Sequence, residues 1–163
     1  MSIEIERKFL VSCDGWKAEA TSAREIRQAY IAQGNASVRV RIVEGVSAML
    51  TLKSMRDGEG RLEFEYGIPS DDAKALLALA TGNVIAKRRH IVPATEQGLF
   101  WEVDVFEGRL AGLVVAEIEL DRMDRTIALP DWVGREVTDD PRYYNERLSG
   151  EDRPPAAIGL QSS

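Results

Sequence analysis

The side chains of this sequence that could do chemistry are charged, and they recur at every second position. Glu4, Glu6 and Lys8 alternate with Ile3, Ile5 and Phe9, with Arg7 as the intruder. Arg39 and Arg41 alternate with Val38, Val40 and Ile42, Lys53 follows Leu50 and Leu52, and Arg61, Glu63 and Glu65 alternate with Leu62, Phe64, Tyr66 and Ile68. Lys87 shares a face with Arg89, Glu102 with Asp104, and Glu117 with Glu119. Such spacing puts each set on one face of a β-strand. A merely solvated strand face mixes Thr, Ser, Gln and Asn with its charges; here nearly every run carries charge alone, and both signs occur. Bases gathered in one low-dielectric space repel one another unless an anion sits among them, and arginine forks with lysine point charges match phosphate oxygens. Carboxylates in the same space would repel that anion unless a hard divalent cation, Mg²⁺ or Mn²⁺, lay between the two. The chemistry this combination suggests is metal-assisted phosphoryl transfer to water.

Composition excludes several other chemistries. The chain has 163 residues, 44% of them hydrophobic and 29% charged, with a net charge of −6. One domain of this size buries a core without disulfides or a structural metal. A lone Cys13 makes no internal disulfide or zinc-thiolate site, and a lone His90 makes no His-His metal pair. The acidic balance argues against an extended nucleic-acid surface. With charges from the first strand-like run onward and no long apolar stretch, the expectation is a soluble, cytoplasmic protein with no membrane association.

The elements that must position these residues are short strands separated by turn chemistry. The runs are Ile3–Val11, Glu25–Ala32, Ser37–Val43, Ala48–Ser54, Arg61–Ile68, Val84–Val92, Leu99–Glu107 and Leu113–Asp121. A helix is predicted over Asp71–Ala80 with Ser70 as N-cap, a second between Pro141 and Leu148, and a short helical turn within Asp14–Ser22. Residues 1–149 read as one domain and residues 150–163 as a frayed, Pro-rich, Ala-rich, Gly-rich and Ser-rich tail. The fold class is mainly β (α+β), and closure of eight antiparallel strands into a barrel would send all the charged faces one way. Pointing outward they would leave the helices nothing apolar to cover. Pointing inward they line a tunnel, with the apolar outer face buried by the helices and by a second subunit if a patch stays uncovered.

The ordered set of motifs resembles the CYTH domain, or triphosphate tunnel metalloenzyme, superfamily in its short bacterial form. EIERKFLV from Glu4 to Val11 carries the ExExK signature. It is followed by VRVR at Val38–Arg41, TLK at Thr51–Lys53, RLEFEYGIP at Arg61–Pro69, KRR at Lys87–Arg89, WEVDVFEG at Trp101–Gly108 and GLVVAEIEL at Gly112–Leu120. The segment Asp131–Leu148 also looks like the end of such members. The resemblance implies a closed eight-stranded antiparallel barrel that hydrolyses a triphosphate with a divalent metal. In its terms Glu4, Glu6 and Glu119 look like metal ligands, with Glu117 and Asp104 as further candidates. Lys8, Arg39, Arg41, Lys53, Arg61, Lys87 and Arg89 look like the phosphate clamp, and Lys8 and Lys87 are the candidate catalytic residues, Lys87 standing where a basic residue could influence which phosphate is attacked. This assignment turns Arg88 and His90 outward and depends on strand register. Tyr143, Tyr144 and Asn145 are placed to close one tunnel mouth. No inward strand face shows an aromatic cluster for an organic group, which favours inorganic tripolyphosphate over thiamine triphosphate or the ATP of a class IV adenylyl cyclase. A non-catalytic polyphosphate-binding module is the alternative of another class.

Overall fold

The N-terminal run serves both ends of one sheet. In the computed structural model, which describes residues 1–58 and 60–156, this run divides at Ile5 into β1 (Ser2–Glu4) and β2 (Glu6–Val11). β1 pairs with β6 (Arg61–Ile68), while β2 pairs with β9 (Val114–Glu119). Between them lie β3 (Ser22–Ala32), β4 (Ala36–Val43), β5 (Ser47–Ser54), β7 (Ile85–Pro93) and β8 (Phe100–Phe106), and β10 (Val133–Glu136) adds to the far side of β2. The order is β1-β6-β5-β4-β3-β7-β8-β9-β2-β10, antiparallel throughout. Gly60 lets the turn before β6 approach β1, since a Cβ there would meet Ile3 Cγ2 at 2.9 Å and the Glu4 carbonyl oxygen at 3.2 Å.

The antiparallel, mainly β expectation holds, and the closed eight-stranded barrel is corrected. Ten strands form, and the ladder is not closed, because its outer strands β1 and β10 pair with β6 and β2 and not with each other. The count differs for two physical reasons. A single run that must pair at both ends of the sheet breaks in the middle, and β10 is only four residues long, too short to show alternation. Arg7, the intruder on the apolar face of the first run, is explained by that tenth strand: its guanidinium binds Glu136 at 2.7 Å.

The predicted inversion of faces is observed. On the outside, α1 (Ser70–Leu77) brings Ala73 and Leu77 onto Ala29, Val40, Ile42 and Ala48. Elsewhere the 3₁₀ turn Gly15–Ala18 and the chain after β9 bring Trp16, Leu120, Ile127 and Trp132 onto Phe9, Trp101, Val103, Ala116 and Ile118. Ile3, Leu62 and Tyr66 of β1 and β6 stay exposed. A third apolar cluster lies on the inner face: Ile85, Phe106, Val115 and Leu10 meet Leu110, Leu113, Tyr143 and Leu148, so the C-terminal segment plugs the sheet's inside with apolar groups.

Two helical expectations are adjusted. α1 is shorter than Asp71–Ala80, and Pro69 rather than Ser70 precedes it as N-cap, without a side-chain cap. The Pro141–Leu148 helix is a 3₁₀ turn, Pro141–Tyr143, and a short α2, Asn145–Leu148, separated by the extended Tyr144. Of the expected tail, residues 151–156 form no helix or strand, and residues 157–163 lie outside the described residues, as does Glu59 of the turn before β6. No helix among the described residues is long and apolar enough to cross a membrane.

Candidate active site

The inner face of the sheet surrounds a cavity of about 210 Å³ whose lining is almost wholly polar and charged. β1 and β2 supply Glu4, Glu6 and Lys8, β4 and β5 supply Arg39, Arg41 and Lys53, and β6 supplies Arg61, Glu63 and Glu65. Arg89, Glu102, Glu117 and Glu119 come from β7, β8 and β9. Strand parity alone explains this convergence: once one residue of a strand points in, every second residue does. Of the residues read from the sequence, Glu4, Glu6, Glu117, Glu119, Lys8, Arg39, Arg41, Lys53, Arg61 and Arg89 share the cavity. Arg88 points out to Glu25, and His90 lies outside against the Trp16 ring.

Lys87 and Asp104 face inward but do not line the cavity. They are buried below it, 2.7 Å apart, next to the apolar plug, with the Lys87 ammonium 5.3 Å from the Phe106 ring centroid. Burial lowers Lys87 to about 7 although Asp104 works the other way. Burial would raise Asp104, yet Arg89 and Lys87 outweigh it and hold the carboxyl down at about 2. Arg89 grips both oxygens of Asp104 at 2.7 and 2.8 Å and reaches Glu102 at 3.0 Å.

The charges in the cavity pair unevenly. Lys53 binds Glu4 at 2.8 Å and Glu63 at 3.5 Å, Lys8 lies 3.3 Å from Glu117, and Arg61 binds Glu146 at 2.9 Å. Arg39 and Arg41 have no carboxylate partner among the described residues. Arg39 donates only to the Thr51 hydroxyl, at 3.4 Å, and its Nε is buried without any partner. Arg41 donates to Gln28 at 2.8 Å, and burial, then Arg39 and Arg89, lower it to about 9. The opposite imbalance holds among the acids. Burial, then Glu117 and Glu4, push Glu6 up to about 8. Burial and Glu4 push Glu63 up to about 7, and burial, Glu4 and Glu102 raise Glu119. Glu6 and Glu119 stand directly opposite each other in the β2–β9 ladder.

These acids fit a divalent cation in chemical kind: they are hard oxygen donors, crowded and for the most part half-buried, whose mutual repulsion a cation relieves. Among the described residues no three of them converge as a ready-made metal cage. The bases fit an anion, since a buried guanidinium with an unpartnered N–H is costly unless something accepts from it.

Several lining residues were not legible in the sequence. Tyr30 lines the cavity from β3, and Tyr144, expected at a tunnel mouth, lines it from the C-terminal segment; Arg56 lies over the Tyr144 ring at 5.3 Å. Gln28, Tyr30 and Glu146 carry no alternating charge, so a search for charge passes over them. Gln28 and Tyr30 sit opposite Arg41 and Arg39 in the β3–β4 ladder, and that register is the signal that finds them.

Comparison with known proteins gives a consistent picture. Residues 2–153 match the model of the CYTH domain family. An inorganic triphosphatase of Acetivibrio thermocellus is 45% identical over 150 residues, covering 91% of this chain and 94% of that protein. One of Nitrosomonas europaea is 36% identical over 151 residues, covering 90% and 96%. The crystal structure of the inorganic triphosphatase NE1496 matches with a TM-score of 0.66 at 32% identity, covering 93% of this chain and 97% of that one.

Proposed function

Since this chain belongs to the CYTH domain family, we propose that it is an inorganic triphosphatase that hydrolyses tripolyphosphate to pyrophosphate and phosphate with a divalent cation, Mg²⁺ or Mn²⁺. The observation that carries the reading is the pair of a buried Arg39 and a half-buried Arg41, neither with a carboxylate partner among the described residues, facing a cavity whose carboxylates include the raised Glu6 and Glu119. A triphosphate bound to the bases and a cation held by the acids would neutralise both sets together. The names of the relatives support the same reaction.

Arg39 and Arg41 bind the phosphate oxygens. Lys8, whose ammonium is kept charged by Glu117 and Glu6 despite burial, adds a third positive group and is placed to offset charge on the leaving pyrophosphate. Lys53 and Arg61 are held at the cavity wall by Glu4, Glu63 and Glu146, and exchange those carboxylates for phosphate oxygens. Arg89, braced by Asp104, stays fixed. Glu4, Glu6 and Glu119 are the residues that would hold the cation, with Glu117 shared between Lys8 and that group. Once bound, the cation supplies Lewis-acid polarisation of the phosphate. Asp104 and Lys87, sealed below the cavity, hold the clamp in place rather than touch the anion. Hydrolysis breaks the bond between the terminal phosphorus and the bridging oxygen, and water supplies the new oxygen.

The test is release of phosphate from tripolyphosphate with Mg²⁺ or Mn²⁺, with and without a chelator. The expected result is turnover that the chelator abolishes and added metal restores. Tripolyphosphate that binds without releasing phosphate under any of these conditions overturns the enzyme in favour of a binding module.

A further inference from the structure

The C-terminal segment also enters the cavity. Asn145, the first residue of α2, lines it beside the clamp. Its side-chain oxygen is doubly engaged: Oδ1 accepts from Lys87 Nζ at 3.2 Å and from Gln28 Nε2 at 3.2 Å. Gln28 is itself fixed from the other side, because its Oε1 accepts from Arg41 Nε at 2.8 Å.

The polarity of this relay is dictated from its origin. A guanidinium only donates, so the Gln28 atom facing Arg41 is its oxygen and the opposite end of that amide is its NH₂. That NH₂ needs an acceptor, so the Asn145 atom facing Gln28 is its oxygen, and the free end of the Asn145 amide is a donor. Lys87, approaching the same oxygen, agrees. Asn145 Nδ2 makes no hydrogen bond among the described residues. Gln28 is fully buried, so the orientation is held by a sealed chain and not by solvent.

We propose that Asn145 is a substrate-binding residue whose Nδ2 donates a hydrogen bond to a phosphate oxygen of the triphosphate, its direction preset by Arg41, Gln28 and Lys87. This rests on the anion reading of the cavity given above. A neutral donor in that place adds directionality to a clamp otherwise made of cations. It also links the C-terminal segment to substrate affinity.

The test compares Asn145→Ala with Asn145→Asp. Both kcat and KM for tripolyphosphate are measured, together with calorimetric binding of tripolyphosphate and thermal melting. A role limited to supporting Lys87 and Gln28 is met by Asn145→Asp, which keeps an acceptor oxygen for both. A donor role is not, because that variant turns an acceptor toward the anion. The expected result is a KM and a dissociation constant raised roughly 10- to 100-fold in Asn145→Ala, as for the loss of a hydrogen bond to a charged group. The increase is larger still in Asn145→Asp, whose melting temperature stays close to that of the parent because it keeps the acceptor oxygen, while Asn145→Ala melts lower for leaving the buried Gln28 Nε2 without one. Affinity restored by Asn145→Asp overturns the proposal. A second readout needs no variant fold: the side-chain amide protons of Asn145 in the wild-type chain shift on adding tripolyphosphate, and protons that do not move overturn the proposal. A wild-type chain that binds tripolyphosphate without hydrolysing it removes the triphosphatase reading, and the same binding comparison still decides Asn145. A chain that does not bind it overturns both.

Discussion

Arg39 shows how function sets the composition of this interior. Its side chain is buried, and among the described residues its Nε has no partner and no carboxylate balances it. A buried donor left unsatisfied costs about 1–3 kcal/mol in the free protein, and buried ionic groups are often replaced by apolar ones at no loss of stability. The arginine is therefore a liability for folding that a bound phosphate would relieve. Arg39→Met is expected to raise thermal stability while raising the KM for tripolyphosphate 10-fold or more. Thermal melting and steady-state kinetics check this, and a variant with lower stability and unchanged KM contradicts it. Lys87 and Asp104 make the complementary case: each is neutralised by its neighbours, so neither demands a ligand.

Among the strands and helices, the division of labour follows the two faces of the sheet. The outer face carries the apolar packing under α1, and the inner face carries the chemistry. Leu77→Ala removes a buried contact on the outside, where α1 meets β4 and β5. It is expected to cost about 2–4 kcal/mol with kcat and KM unchanged, as chemical denaturation and the kinetic assay would report. A fall in kcat/KM at unchanged stability would mean that the two faces are not separable. This division was legible in the sequence because parity survives errors in strand ends: β7 and β8 shift by a residue from their expected bounds, yet Arg89 and Glu102 still point inward. Depth was not legible. Parity says which face Lys87 and Asp104 occupy, but the stagger between strands decides how far down the cavity they lie, and it put them beside Phe106. β10 and the break at Ile5 escaped for a related reason, since both are set by partners distant in the chain. Asn145 was expected only at a tunnel mouth. Its place beside Gln28 depends on the apolar plug of Tyr143 and Leu148 seating the segment inside the sheet.

Taken together, the chain is a sheet turned inside out relative to a common soluble β-protein, with charge within and apolar groups without. Ten strands and an apolar plug hold acids and bases closer than their charges alone would allow, at carboxyl values as far displaced as about 8 for Glu6. Such an arrangement makes physical sense if a polyanion and a cation complete it. The most direct test is a crystal of the chain grown with tripolyphosphate and Mn²⁺ and measured at the manganese absorption edge. The account predicts an anomalous peak among Glu4, Glu6 and Glu119, with phosphate density against Arg39 and Arg41. Manganese and phosphate bound only outside the cavity, with those five side chains unchanged, would contradict it.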